Sequence, residues 1–74
     1  MNNLKVFFVV MAIHRTKEWV GYAGYIFATD QLEAIKFLAA EYGEINVVSL
    51  EEVPVQPGTI LYGERWKTIN AKEK

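Results

Sequence analysis

At 74 residues the chain has room for one small domain, and a domain of that size buries only about 60 to 65% of the surface it exposes when unfolded. It has no cysteine and one histidine, which excludes disulfides, thiolate metal sites and His-rich zinc sites as staples and leaves oligomerisation. A net charge of −1 gives no bulk attraction to nucleic acid or to membranes.

The first element, Leu4 to Ile13 (LKVFFVVMAI), reads as a strand that is apolar on both faces. With side chains alternating, Phe7, Val9, Met11 and Ile13 point one way, and Leu4, Val6, Phe8, Val10 and Ala12 point the other. The rest of the chain offers one convincing helix, so the second face needs another cover. A second copy of the chain is the expected one, making a homo-oligomer, most simply a dimer. The stretch has no basic segment before it, contains Lys5, and is followed by His14-Arg15 instead of small residues, so it does not read as a signal peptide. It is also too short to span a bilayer. A soluble, cytoplasmic protein without membrane association is expected.

His14 to Glu18 is a polar break, and Trp19 to Ala28 (WVGYAGYIFA) is a second β-rich run, so the two form a hairpin. Gly21 and Gly24 weaken this strand, and each marks either a bulge or a close approach by another backbone or a ligand. Thr29-Asp30 opens the helix. Asp30 is an N-cap, Glu33 completes a D-x-x-E box, and Gly43 stops the helix after Tyr42. Leu32, Ile35, Leu38, Ala39 and Tyr42 share one face at 100° per residue, and that stripe is expected on the sheet. Phe37 falls on the opposite side.

Ile45 to Val53 (INVVSLEEV) is the third strand, ended by Pro54. Pro57-Gly58 fits the central positions of a type II turn. Thr59 to Trp66 (TILYGERW) reads as a fourth strand with Ile60, Tyr62, Glu64 and Trp66 on one face. The polar end from Lys67 reads as frayed. The fold class is therefore α+β: a small ββαββ domain over residues 1–67 with a tail at 68–74. Its four-stranded, mostly antiparallel sheet has order 2-1-3-4, with the helix on one face. The most apolar strand lies inside, and the β-α-β connection makes the second and third strands parallel.

Charge is uneven. Residues 1–29 carry +2, residues 30–53 carry −5 and residues 54–74 carry +2. Opposite patches of this kind help pair subunits or engage a partner.

No catalytic set is visible. His14 is the only histidine and Ser49 the only serine, at a hairpin tip and in mid-strand, so no nucleophile–base pair is expected. Glu51 and Glu52 are strand neighbours and point to opposite faces, so they are no carboxylate pair. Gly21-x-x-Gly24 lies inside a strand and opens no helix, so it is no phosphate loop. Neither a cofactor nor a metal site is expected, and the chain reads as no enzyme. Lys5-Val6-Phe7-Phe8-Val9 mixes base and aromatic as RNA-binding sheets do, but lacks their Gly-aromatic motif, so a nucleic-acid-binding module is the third reading, behind a protein partner and a small ligand.

What the sequence has in excess is large amphipathic aromatics, the residue types that dominate interface hot spots together with Arg. The candidate binding surface comprises Arg15, Lys17, Trp19, Tyr22, Tyr25, Phe37, Tyr62, Arg65 and Trp66. The expected function is engagement of a protein partner by an oligomeric regulator or inhibitor. The alternative is capture of a small anionic, nucleotide-like molecule between subunits, with Arg15, Lys17 or Arg65 at the rim. In size and in lacking a catalytic set the chain is similar in style to small phage-encoded regulators and inhibitors.

Overall fold

The computed structural model describes residues 3–63 and 65–69. Two long strands, β1 (Lys5–Arg15) and β2 (Glu18–Ala28), form the hairpin. They are joined at Thr16-Lys17, where Thr16 takes a φ of 56° that β-branched residues rarely adopt. Helix α1 (Gln31–Tyr42) follows, then β3 (Ile45–Val53), β4 (Thr59–Tyr62) and β5 (Arg65–Thr68).

β1 is the central strand of a three-stranded sheet of order β2-β1-β3 and pairs antiparallel with both neighbours. β2 and β3 therefore run parallel to one another, as expected of strands joined through a helix. The β1–β2 register is continuous from Lys5↔Ala28 to Arg15↔Glu18, whereas the β1–β3 register slips between Val10 and Met11 and leaves Val48 unpaired as a bulge.

The four-stranded sheet is corrected. The expected fourth strand folds back on itself at Gly63, where φ is 55°, and becomes the two-stranded hairpin β4-β5, a separate sheet. A glycine at positive φ inside an apparently continuous β run is the physical reason: it reverses the chain where alternation alone reads straight through. Leu61↔Trp66 and Thr59↔Thr68 pair across this arm, and the two threonine hydroxyls share a 3.0 Å hydrogen bond. Lys67 and Thr68, expected in the frayed end, are the last residues of β5. Glu64 and residues 70–74 lie outside the described residues.

The turn before the arm is as read. Gln56 O accepts from Thr59 N at 3.2 Å around Pro57-Gly58, and Gly58 has φ 90°. Gly58 O also accepts from Ile69 N at 2.9 Å, and a Cβ on Gly58 would collide with the Ile69 carbonyl oxygen. This position therefore requires glycine twice over, for its backbone angle and for its closeness to Ile69.

The helix ends are as read and the buried stripe is not. Asp30 accepts from Glu33 N at 2.8 Å, and Gly43 N donates to Ala39 O at 2.8 Å with φ 83° at Gly43. The Glu33 carboxylate reaches back one residue further than a capping box requires and accepts from both Thr29 N and Thr29 Oγ1 at 2.7 Å. Against the sheet, however, α1 buries Ala34 and Leu38 with Tyr42 half-buried, whereas Leu32 stays 63% exposed and Ile35 and Ala39 are also exposed. The helix sits where one of its alanines meets the largest side chain below: Ala34 packs with Phe7 and Ala28. Val9, Met11, Ile13 and Leu38 make the other half of the core, with Ile26, Ile45, Val47 and Leu50 at its margins.

Candidate binding surface

The face of the sheet away from α1 is the outer face. Register places Val6, Phe8, Val10, Ala12 and His14 of β1 on it. The same register adds Trp19, Gly21, Ala23, Tyr25 and Phe27 of β2, and from β3 come Asn46, Ser49, Glu51 and Val53. This is the second apolar face that the first strand demanded.

The chain covers half of it. Phe8 is buried beneath Trp66 of β5 at a centroid distance of 6.2 Å and beside Tyr25 at 5.1 Å. At the same end, Val6 and Val53 with Pro54, Val55, Thr59 and Leu61 line a recess of about 230 Å³ between sheet and arm. Toward the β1–β2 turn the cover stops. There the floor is made of small residues, Val10, Ala12, Gly21, Ala23 and Ser49. Trp19 (50% exposed) rims it at one end and Tyr25 at the other, while Phe27, paired with Val6 at the covered end, is still 60% exposed. Val48, pushed out by the bulge, is exposed at 69%.

Of the residues singled out from sequence, Trp19, Tyr25 and Trp66 share this face: Tyr25 and Trp66 meet over Phe8, and Trp19 lies six residues along β2 from Tyr25. Trp19 is held by stacking on His14 at 4.9 Å, and His14 Nδ1 lies 3.3 Å from a carboxylate oxygen of Glu44. Tyr62, Arg65 and Trp66 meet Glu51 around a recess of about 280 Å³. Arg65 therefore shares its site with a carboxylate, which weakens the case for a dedicated anion pocket there. Tyr22 sits on the helix side, 6.2 Å from the Tyr42 ring. Phe37, half exposed on α1, lines an open cleft of about 450 Å³ with Tyr25, Ile26, Leu38, Glu41 and Tyr42. Arg15 and Lys17 lie at the far turn.

Phe8 takes the second face of β1 as read, whereas Phe27 and Val48 are exposed residues that the sequence reading did not single out. Period-two alternation from Trp19 would have placed Phe27 with Trp19 and Tyr25. The bulge that exposes Val48 leaves no sequence signal.

The two glutamates separate as expected. Glu52 is on the helix side, 3.9 Å from Lys5 Nζ, while Glu51 is on the outer face. His14 and Ser49 both reach the outer face, but Ser49 pairs opposite Val10, about 13 Å along the strand from His14, too far for proton transfer. Among the described residues, no group of three or more His, Cys, Asp or Glu side chains is placed to hold a metal ion, and no helix is long and apolar enough to cross a membrane. Comparison with protein-family models, with curated proteins and with solved structures finds no match for this chain.

Proposed function

We propose that the chain is a non-enzymatic binding protein that engages a protein partner through the open half of its outer sheet face. One observation carries this reading: the arm covers Phe8 and stops, leaving Trp19 and Val48 exposed around a floor of small, mostly apolar residues, with Phe27 exposed at the strand's other end. A contiguous exposed apolar patch on a small protein marks an interaction site, and an aromatic rim around small residues offers both anchors and shallow pockets. The nearest charges are Glu51, Arg65 and Glu44, all at the margins, which is the distribution of a protein–protein interface. A regulator or inhibitor that occludes part of its target is the role such a rigid, site-free surface serves.

The test is a capture experiment with immobilised wild-type chain and a Trp19→Ala/Phe27→Ser variant whose circular dichroism matches it. A stoichiometric protein partner held by the first and lost by the second is the expected result. A discrete small mass retained in native mass spectrometry, with no protein, would replace this reading by ligand capture. Binding to a single-stranded oligonucleotide that weakens steeply with salt would replace it by a nucleic-acid role.

A further inference from the structure

The two edges of the three-stranded sheet are built differently. The β3 edge is blunted: it has a bulge at Val48, Glu51 and Glu52 near its end, Pro54 beyond it, and a helix side chain laid along it. That side chain is Gln31, whose Nε2 donates to Leu50 O at 3.2 Å. These are the devices by which a sheet edge avoids pairing with another chain. The β2 edge has none of them. From Trp19 to Ala28 it carries no charge and no proline, and its pairing with β1 has no register shift.

The glycines in β2 also lack an explanation within one chain. Gly43, Gly58 and Gly63 have positive φ, but Gly21 and Gly24 do not. No bulge occurs there, and a Cβ built on either meets nothing within 4 Å. Neither backbone angle nor internal packing asks for glycine. A strand glycine then marks close approach from outside.

We infer that β2 pairs antiparallel with β2 of a second copy, about a two-fold axis through Ala23, to form a continuous six-stranded sheet. The strand is self-complementary in this register. Ala23 faces its own counterpart, Gly21 faces Tyr25, Tyr22 faces Gly24, Val20 faces Ile26 and Trp19 faces Phe27. Each glycine thereby receives a tyrosine ring from across the strand pair, the aromatic cover that edge glycines need. The flanking pairs are β-branched on β-branched and aromatic on aromatic.

Backbone polarity agrees. His14 N donates to Glu44 O on the β3 side, so even-numbered residues of β1 turn their amides toward β3 and odd-numbered ones toward β2. Ile13 pairs with Val20, so the even-numbered residues of β2 face inward and the odd-numbered ones, Trp19 to Phe27, present N–H and C=O to the free edge. Ala23, on the proposed axis, is one of these outward residues and exchanges both bonds with its counterpart. The edge is the backbone of the strand whose Trp19, Ala23, Tyr25 and Phe27 side chains belong to the face proposed for a protein partner, so pairing sets the two copies' outer faces side by side, and this inference does not depend on that reading.

The absence of cysteine makes a direct test available. The purified wild-type chain, with no partner present, is expected to sediment as a dimer at tens of micromolar. Ala23→Cys, its only thiol, is expected to form a covalent dimer on mild oxidation, while Val48→Cys on the opposite edge stays uncoupled. Ala23→Lys sets two like charges opposite each other on the axis and is expected to raise the dimer dissociation constant at least tenfold with unchanged circular dichroism. A wild-type monomer at high micromolar concentration overturns the inference. So does efficient coupling through Val48→Cys but not Ala23→Cys, or an Ala23→Lys dimer as tight as wild type. Loss of partner capture with the dimer intact bears only on the proposed function.

Discussion

Phe7 and Phe8 are adjacent, chemically identical and both buried, yet they belong to different structures. Phe7 lies under α1 with Ala28 and Ala34, inside a core sealed by a capped helix. Phe8 lies on the other face under Trp66, and its cover is a two-stranded arm. A two-stranded hairpin has marginal stability by itself, so the arm borrows its order from the surface it protects. Burial alone does not distinguish the two phenylalanines; what distinguishes them is the stability of the cover.

Substitutions sharpen this comparison, and the largest effect belongs to Phe7. Phe7→Ala removes a ring from the sealed core at a cost of about 3–5 kcal/mol, comparable to the whole stability of a domain this small. The variant is expected to be largely unfolded by circular dichroism at 25 °C. Phe8→Ala is expected to cost about half as much, because the arm can collapse onto the gap or lift from it. Equal losses in urea titrations of the two variants would mean that the arm is as firmly held as the helix.

A smaller and more local effect is expected from Gly58→Ala. It places a side chain against the Ile69 carbonyl at a backbone angle that alanine resists. The sheet and helix should survive, while Trp66 emission shifts to the red as the ring leaves Phe8. A variant carrying Trp19→Phe isolates that signal. Unchanged emission would show that the turn does not hold the arm. Thr16→Gly relieves a positive φ on a β-branched residue and is expected to stabilise the hairpin by about 0.5–1 kcal/mol, read as a raised urea midpoint. Smallest of all, Phe27→Ser on the outer face should change the stability of the single chain, titrated at concentrations below dimerisation, by no more than about 0.5 kcal/mol. A large loss in the single chain would mean that Phe27 is already covered by the chain itself.

The same contrast explains what the sequence made legible. β1, β2 and β3 are long alternating or doubly apolar runs bounded by polar breaks, and the central place of β1 follows from its having two apolar faces. Asp30 and Gly43 announce the helix ends because caps are local chemistry. The buried stripe of α1 was misplaced because periodicity rewards large apolar residues such as Leu32 and Ile35. The sheet instead selected Ala34, the residue small enough to sit on Phe7. The arm was hidden because Gly63 looks like a weak strand position until its φ is known. Trp19, Tyr25 and Trp66 were marked as candidates by residue type alone. That they share a face, while Tyr22 and Phe37 do not, depends on register, and for Trp66 on a reversal the sequence does not announce.

β1 precedes both of its partners in the chain and gains them at different times. Its pairing with β2 closes through a two-residue turn, so the hairpin can form as soon as residue 28 has left the ribosome. The other edge must wait for β3, whose last partner is Val53 opposite Val6. During that interval the most aggregation-prone segment of the chain is half exposed. Its protection is Lys5 at one end and His14-Arg15 at the other, gatekeepers in time more than in space.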